Sequence, residues 1–329
     1  MVMQRIGIGI RVSALAALVT LVGLNGQSLA ADVTIRVGHF PNVTHVQALV
    51  ARALEREGHD WFSPRLGRGV SVAWYTYNAG PSAMEAIFAD AIDLTYVGPS
   101  PALNAYFRSQ GEEVRVVAGA VEGGSALVVQ PGSNLRSPAD FRGKRVATPQ
   151  FGNTQDVAAR AWLTAGGLHI TQTGGDAQVI PTQNPDQLSL FKTRQLDAVW
   201  TVEPWVSRLE LDAGGKILVD ERKAITTVLV SRVKFLSEHG DLVARFVQAH
   251  RELTAWINAH PDEARQLLRS ELTAETHVDL GDKLIGRAWS RITATADVAP
   301  EAFTAWVADA KKVGFLRNAS DLSRFVAVR

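Results

Sequence analysis

The stretch from Tyr77 to Phe107, YNAGPSAMEAIFADAIDLTYVGPSPALNAYF, decides the fold class. Gly80-Pro81-Ser82 opens a helix, and Pro81 suits a first turn, where its missing N–H is no loss. Met84, Ile87 and Phe88 then share one face, the spacing of a helix packed on a core. Ile92 to Val97 reads as a strand, and Gly98-Pro99-Ser100-Pro101 turns it into the next helix. A strand held between two helices within one short stretch is the rhythm of a sheet covered by helices.

The same rhythm runs outward in both directions. Upstream, Val33, Ile35 and Val37 alternate with polar residues, and Gly38 to Asn42 form a loop. Val46, Leu49, Val50, Ala53 and Leu54 then follow the helical spacing i, i+3, i+4, i+7, i+8 up to Gly58, and Val70 to Tyr77 is a strand. Downstream, Val114 to Val121 is a strand, and the pattern then restarts. Ser125 to Gln130, Arg145 to Thr148, Val179-Ile180 and Leu196 to Trp200 read as strands. Helices begin after Phe151-Gly152-Asn153-Thr154, at Asn184-Pro185 and after Glu203-Pro204-Trp205. Past the strand-like Ala224 to Ser231 the chain turns helical, with Leu242, Val243, Phe246, Val247, Leu253, Trp256 and Ile257 on its apolar stripe. FADAIDL (Phe88–Leu94) and FKTRQLDA (Phe191–Ala198) echo each other, each running from a helix end into an aliphatic-Asp-aliphatic strand. The expectation is an α/β protein of two similar lobes, each a mainly parallel sheet flanked by helices.

Composition narrows the function classes. The 329 residues are 46% apolar and 20% charged, with 34 bases against 33 acids. So even a balance gives no basic surface for nucleic acid. The absence of cysteine removes disulfides, thiolate metal sites and cysteine nucleophiles together. Arg5 and Arg11 precede an apolar run, Val12 to Leu24, and Ser28-Leu29-Ala30 place small residues at −3 and −1. This is the layout of a secretory signal cleaved after Ala30, the run being shorter than the ~20 residues a membrane span needs.

The Tyr77–Phe107 stretch, followed by FRGKRVATPQFGNTQDVAARAWL (Phe141–Leu163) and LDAVWTVEPW (Leu196–Trp205), resembles the periplasmic binding proteins of the ABC sulfonate, taurine and nitrate importers. The resemblance runs from Ile35 to about Glu221 and rests on the order and spacing of these pieces. It implies the type II binding-protein fold, with lobe 1 formed by 31–122 and 226–329 and lobe 2 by 123–225. Two strand crossings, near Val121 to Ser125 and Glu221 to Thr227, would hinge them, and the tail would fold onto the first lobe. A small anionic solute would sit in the cleft, the lobes would shut on it, and the monomeric protein would deliver it to a permease in the inner membrane. No cofactor or nucleic acid is implied.

In open α/β sheets ligands sit beyond the carboxyl ends of strands, where helix starts offer free N–H groups and partial positive charge. Gly80 and Ser82, Ser100, and Asn153 with Thr154 lie at three such junctions. Their loops contain no Lys or Arg, so neutral donors are expected to hold the anion. Ser125 lies beside the first crossing, facing the cleft or merely ending a strand. His39 and Asn42 fill the first strand–helix loop and are candidates to line the cleft. The histidines there lack a neighbouring carboxylate, so no metal site is expected. Glu203 would repel an anion unless the ligand also carries an amine, as taurine does; it could instead cap the next helix. Trp205 could wall an organic tail or pack in the core.

Enzyme classes fit poorly. The chain has no Gly-x-Ser-x-Gly elbow, P-loop or Gly-x-Gly-x-x-Gly turn, and no catalytic residue is assigned. The pyrimidine synthases of thiamine formation share the fold, but their cysteine-rich motif is missing. The remaining alternatives are binders of nitrate or of a pyrimidine-like heterocycle, and a periplasmic sensing module.

Overall fold

The structure is a computed structural model and describes residues 33–316 and 321–327. The expected leader, 1–30, lies outside the described residues. The chain builds a first sheet and its helices with β1 (Val33–His39), α1 (Val46–Arg56), α2 (Ser63–Leu66), β2 (Val70–Thr76), α3 (Gly80–Phe88), β3 (Leu94–Val97), α4 (Pro99–Arg108) and β4 (Val114–Gly123). It then enters a second sheet with β5 (Ser125–Val129), β6 (Arg145–Thr148), α5 (Thr154–Ala165), β7 (Gln178–Pro181), α6 (Asn184–Lys192), β8 (Ala198–Val202), α7 (Trp205–Ala213) and β9 (Lys216–Asp220). It returns through β10 (Ile225–Arg232), and the tail holds α8 (Val233–Glu238), α9 (Gly240–Ala259), α10 (Pro261–Thr276), α11 (Gly281–Trp289), β11 (Ile292–Ala294) and α12 (Thr304–Lys312).

The strand orders are β11-β4-β10-β3-β1-β2 and β7-β6-β8-β5-β9. The two-lobe α/β architecture is present, but both sheets are mixed. β1 runs parallel to β2 and β3, and β6 runs parallel to β7 and β8, as strands joined by helices do. The antiparallel pairs gather at the crossings. β4 leads into β5 and β9 leads back into β10, so each outgoing strand lies beside a returning one, β4 against β10 and β5 against β9. The outward crossing is Gly123-Gly124, both with left-handed φ near +77°, where only glycine sits without strain. A Cβ on Gly123 would also come within 2.3 Å of the Arg291 carbonyl oxygen.

Hydrophobic periodicity explains what covers the sheets. Ile35 and Val37 of β1, Leu49 and Val50 of α1, and Phe246, Leu253 and Ile257 of α9 bury one face of the first sheet, with Phe62 stacked on Phe246 at 4.3 Å. His250 of α9 is wholly buried there, between the Tyr96 hydroxyl (3.0 Å) and the Gly119 carbonyl (2.8 Å), and burial lowers its pKa to about 4. A second cluster joins Ala102, Leu103 and Tyr106 of α4 to Leu127 and Trp200 of the second sheet and to Phe141 from the turn between β5 and β6. The tail touches both halves. α9 and α10 pack on α1, α11 packs on α7, and α12 lies against α4 and α5 at once. Phe315 then rests on Phe151, ring centroids 5.0 Å apart.

Candidate ligand-binding site

The carboxyl ends of the parallel strands of both sheets face a common gap. A cavity of ≈ 30 Å³ there is lined from β1's loop by Phe40, Asn42, Thr44 and His45, and from β2's by Asn78, Ala79 and Gly80. Gly98 and Pro101 close it behind β3. The second sheet contributes Pro149, Asn153, Thr154 and Gln155 after β6, Asn184 after β7 and Val202 of β8, and β10 contributes Thr226 and Thr227. No Asp, Glu, Lys or Arg is among these residues. Burial holds His45 well below the usual imidazole pKa, with His39 nearby adding to the effect, so this histidine is neutral too.

The donors come from helix starts and carboxamides. α3, α4 and α6 begin at the cavity with no side-chain bond from their N-cap residues. Asp186 sits in the first turn of α6 and the Ser100 N–H of α4 meets Thr154 Oγ1, so the uncapped positive end is clearest at α3. Asn42 is oriented by a neighbour from the other sheet: Trp205 Nε1–H donates to its Oδ1 at 3.2 Å. An indole N–H can only donate, so Asn42 turns its oxygen to Trp205 and keeps its NH2 for another partner. Asn184 is held similarly, its Oδ1 accepting from the Thr201 hydroxyl at 3.1 Å.

The sequence-predicted residues divide into three groups. Asn42, Gly80, Asn153 and Thr154 line the cavity. Asn153, however, has both ends of its amide engaged. Its Oδ1 caps α5 by accepting from Asp156 N–H at 2.9 Å, and its Nδ2 donates to Gln155 Oε1 at 3.1 Å. Ser82, Ser100 and Ser125 stand just behind the lining. Ser82 bonds Gln150 across the gap, Nε2 to Oγ at 3.1 Å. The Ser100 N–H meets Thr154 Oγ1 at 3.4 Å, while its own buried Oγ has no partner. Ser125 accepts from Gln155 Nε2 (3.4 Å) and Trp200 Nε1 (3.2 Å) and donates to Glu221, so it supports Gln155 rather than facing the cavity.

His39, Glu203 and Trp205 lie elsewhere. β1 runs to His39 instead of ending at Val37, which sends the ring to the far face, against Trp74 and 2.7 Å from Glu275 Oε1. Glu203 is fully buried and turned toward α7, accepting from the N–H and hydroxyl of Ser207, each at 3.0 Å. The capping role is therefore the one the geometry displays. Arg291 brings its Nε to 3.1 Å from Glu203 without hydrogen-bond alignment, and bonds Glu210 and Asp220 at 2.8 Å each. Burial raises Glu203 to about 7, with Ser207 and Arg291 acting against it. Trp205 lies beside the cavity rather than in its lining.

Asn78, Asn184, Thr44, Thr226 and Thr227 were not singled out from sequence. Each sits at a strand end or in a crossing, so the carboxyl-end rule applied to whole loops, and not only to first helical residues, would have found most of them. Across the gap the halves touch closely. A Cβ on Gly98 would lie 2.2 Å from Thr154 Oγ1, and Val43 N–H donates to the Glu203 carbonyl at 2.9 Å.

Known proteins share this fold. A Bacillus subtilis (strain 168) protein carrying the name aliphatic sulfonates-binding protein is 26% identical over 68% of this chain and 67% of its own length. Among solved structures, the alkanesulfonate-binding protein of Xanthomonas axonopodis pv. citri bound to MOPS superposes with a TM-score of 0.70 at 19% identity, covering 91% of this chain and all (100%) of that one. The periplasmic nitrate-binding protein from Synechocystis PCC 6803 gives a TM-score of 0.72 at 12% identity, covering 89% and 84%. The family model described as NMT1-like matches residues 29–270, and the chain belongs to that NMT1-like family.

Proposed function

We propose that this chain is the extracytoplasmic solute-binding component of an ABC importer, working in the periplasm and capturing a small organic anion, an organosulfonate foremost. The observation that carries the reading is the cavity between the two sheets, lined by uncharged side chains and by the starts of α3, α4, α5 and α6. Such a site can hold delocalised negative charge without a counter-ion, because fixed dipoles replace the solvation shell. The names of the Bacillus and Xanthomonas proteins favour sulfonates over other anions.

The chain acts as a binder and not as an enzyme. Ligand oxygens accept from both lobes, and that joint set of contacts exists only in the shut form, so the ligand draws an open–shut equilibrium toward closure. The shut form is then what the membrane permease receives. A thermal-shift panel of alkanesulfonates, nitrate, sulfate and pyrimidines tests this, since a ligand that binds only the folded state raises the melting point. A shift with sulfonates is expected. A shift confined to nitrate or to pyrimidines transfers the reading to those solutes, and no shift with any of them removes it.

A further inference from the structure

At ≈ 30 Å³ the cavity is suited to a compact head group rather than to an organic body. A second chamber of ≈ 280 Å³ adjoins it, and Asn42, Asn78 and Asn184 belong to the walls of both. Its remaining wall is largely apolar: Trp205, Leu272, Val278 and Leu280, with prolines from three loops. A ligand with its head among the three asparagines would extend its body here.

One charged side chain stands in that wall, Arg208 of α7. Its guanidinium carbon lies 4.8 Å from the Trp205 ring centroid. Its one ion-pair partner among the described residues is Asp212, with Nε to Oδ2 at 3.4 Å, a long and poorly committed contact. No carboxylate lines either space. Glu203, the acid expected to receive a ligand amine, is instead turned to Ser207 and Arg291. A ligand body in this chamber therefore meets a cation in the wall and no carboxylate.

Resting on the solute-binding reading above, we infer that the ligand is a two-ended organic anion, its head group in the asparagine cavity and a second acidic group at the far end of a short apolar linker, read by Arg208. A planar guanidinium already braced on an aromatic ring loses little freedom in taking up a carboxylate bidentately. The same cation disfavours ligands that end in an ammonium group, taurine among them.

The test uses three solutes of one chain length in calorimetry on the purified chain: propanesulfonate, its carboxylated counterpart sulfopropanoate, and its amino counterpart homotaurine. Sulfopropanoate is expected to bind at least roughly tenfold more tightly than propanesulfonate, the yield of one charge-assisted contact, and homotaurine more weakly than either. Arg208→Gln should bring sulfopropanoate down to the level of propanesulfonate, and Arg208→Lys should retain part of the difference. If the Gln variant fails to fold, the reduced gap in the Lys variant decides. Equal binding of all three, or a gap that survives Arg208→Gln, overturns the inference and leaves the anion site standing. Binding of none of the three, with nitrate or a pyrimidine bound instead, overturns the inference and the sulfonate reading together.

Discussion

The cavity and the crossing behind it are built from opposite materials. Residues lining the cavity include no formal charge: they are amides, hydroxyls, a neutral histidine and a few apolar side chains such as Phe40 and Val202, with the first turns of four helices. Directly behind, where the chain passes between sheets, Arg291 is 4% exposed and surrounded by Glu203, Glu210 and Asp220, with Arg287 on Glu210 and Arg222 on Asp220. The difference separates two tasks. A buried charge cluster fixes geometry because removing one member strands the others. A neutral site with free donors stays ready for a charge that arrives and leaves. The acid that could spoil anion binding, Glu203, belongs to the first task, and Ser207 and Arg291 hold it there.

The largest expected effect comes from breaking the charged side. Arg291→Met takes the cation from the buried Glu203, while Glu210 keeps Arg287 and Asp220 keeps Arg222. A loss of about 3 kcal/mol of stability follows, the low end for a broken buried pair. Denaturant melts measure it; a loss under about 1 kcal/mol would mean the cluster is not the clasp described. The neutral side is tested by adding charge to it. Asn42→Asp keeps the oxygen that accepts from Trp205 Nε1 and replaces the free NH2 by a second oxygen. Anion affinity should fall about a hundredfold, from a lost donor and like-charge repulsion, with the melting point little moved. Unchanged affinity in calorimetry would take Asn42 out of the site.

The smallest effect is a pH dependence. Glu203 titrates at about 7 when folded and near 4.5 when unfolded. The folded state thus holds the extra proton, and the stability this contributes is complete below pH ~4.5 and lost as pH rises through ~7. Glu203→Gln lacks that loss. Its melting point relative to the unmodified chain should climb between pH 5 and 7.5 and level off above, by the equivalent of roughly 1–3 kcal/mol. A difference that stays flat with pH would show Glu203 ionised throughout.

Periodicity made most of the fold legible. The first strand, α1, α3 and the Tyr77–Phe107 stretch lie where the apolar spacing placed them, because local pattern and burial agree there. β9 escaped notice because Lys216–Asp220 is an edge strand, mostly half-buried, which shows no alternation. β11 escaped because three residues carry no period. The mixed sheets were missed because strand direction at the crossings depends on which sheet the chain has just left, a property of topology rather than of composition. In the site, loops at strand ends were readable, whereas the partners that turn a side chain aside were not. Glu203 points away from the gap through Ser207, the local capping role the sequence offered, backed by Arg291. His39 does so because of Glu275, and these last two partners, Arg291 and Glu275, come from a distant tail with no local signature.

That tail changes the mechanics. Two bodies joined by a pair of strands swing freely, like a book on its spine. Here α11 grips α7 on one flank and α12 rests across α4 and α5 on another, with Phe315 pinned to Phe151. The covers are thus laced as well as bound, and any gape wide enough to admit a solute must first slip one of these laces. On the solute-binding reading proposed above, the release of α11 or α12, rather than the softness of the glycine pair, would set how often the cleft is offered to the surrounding solution.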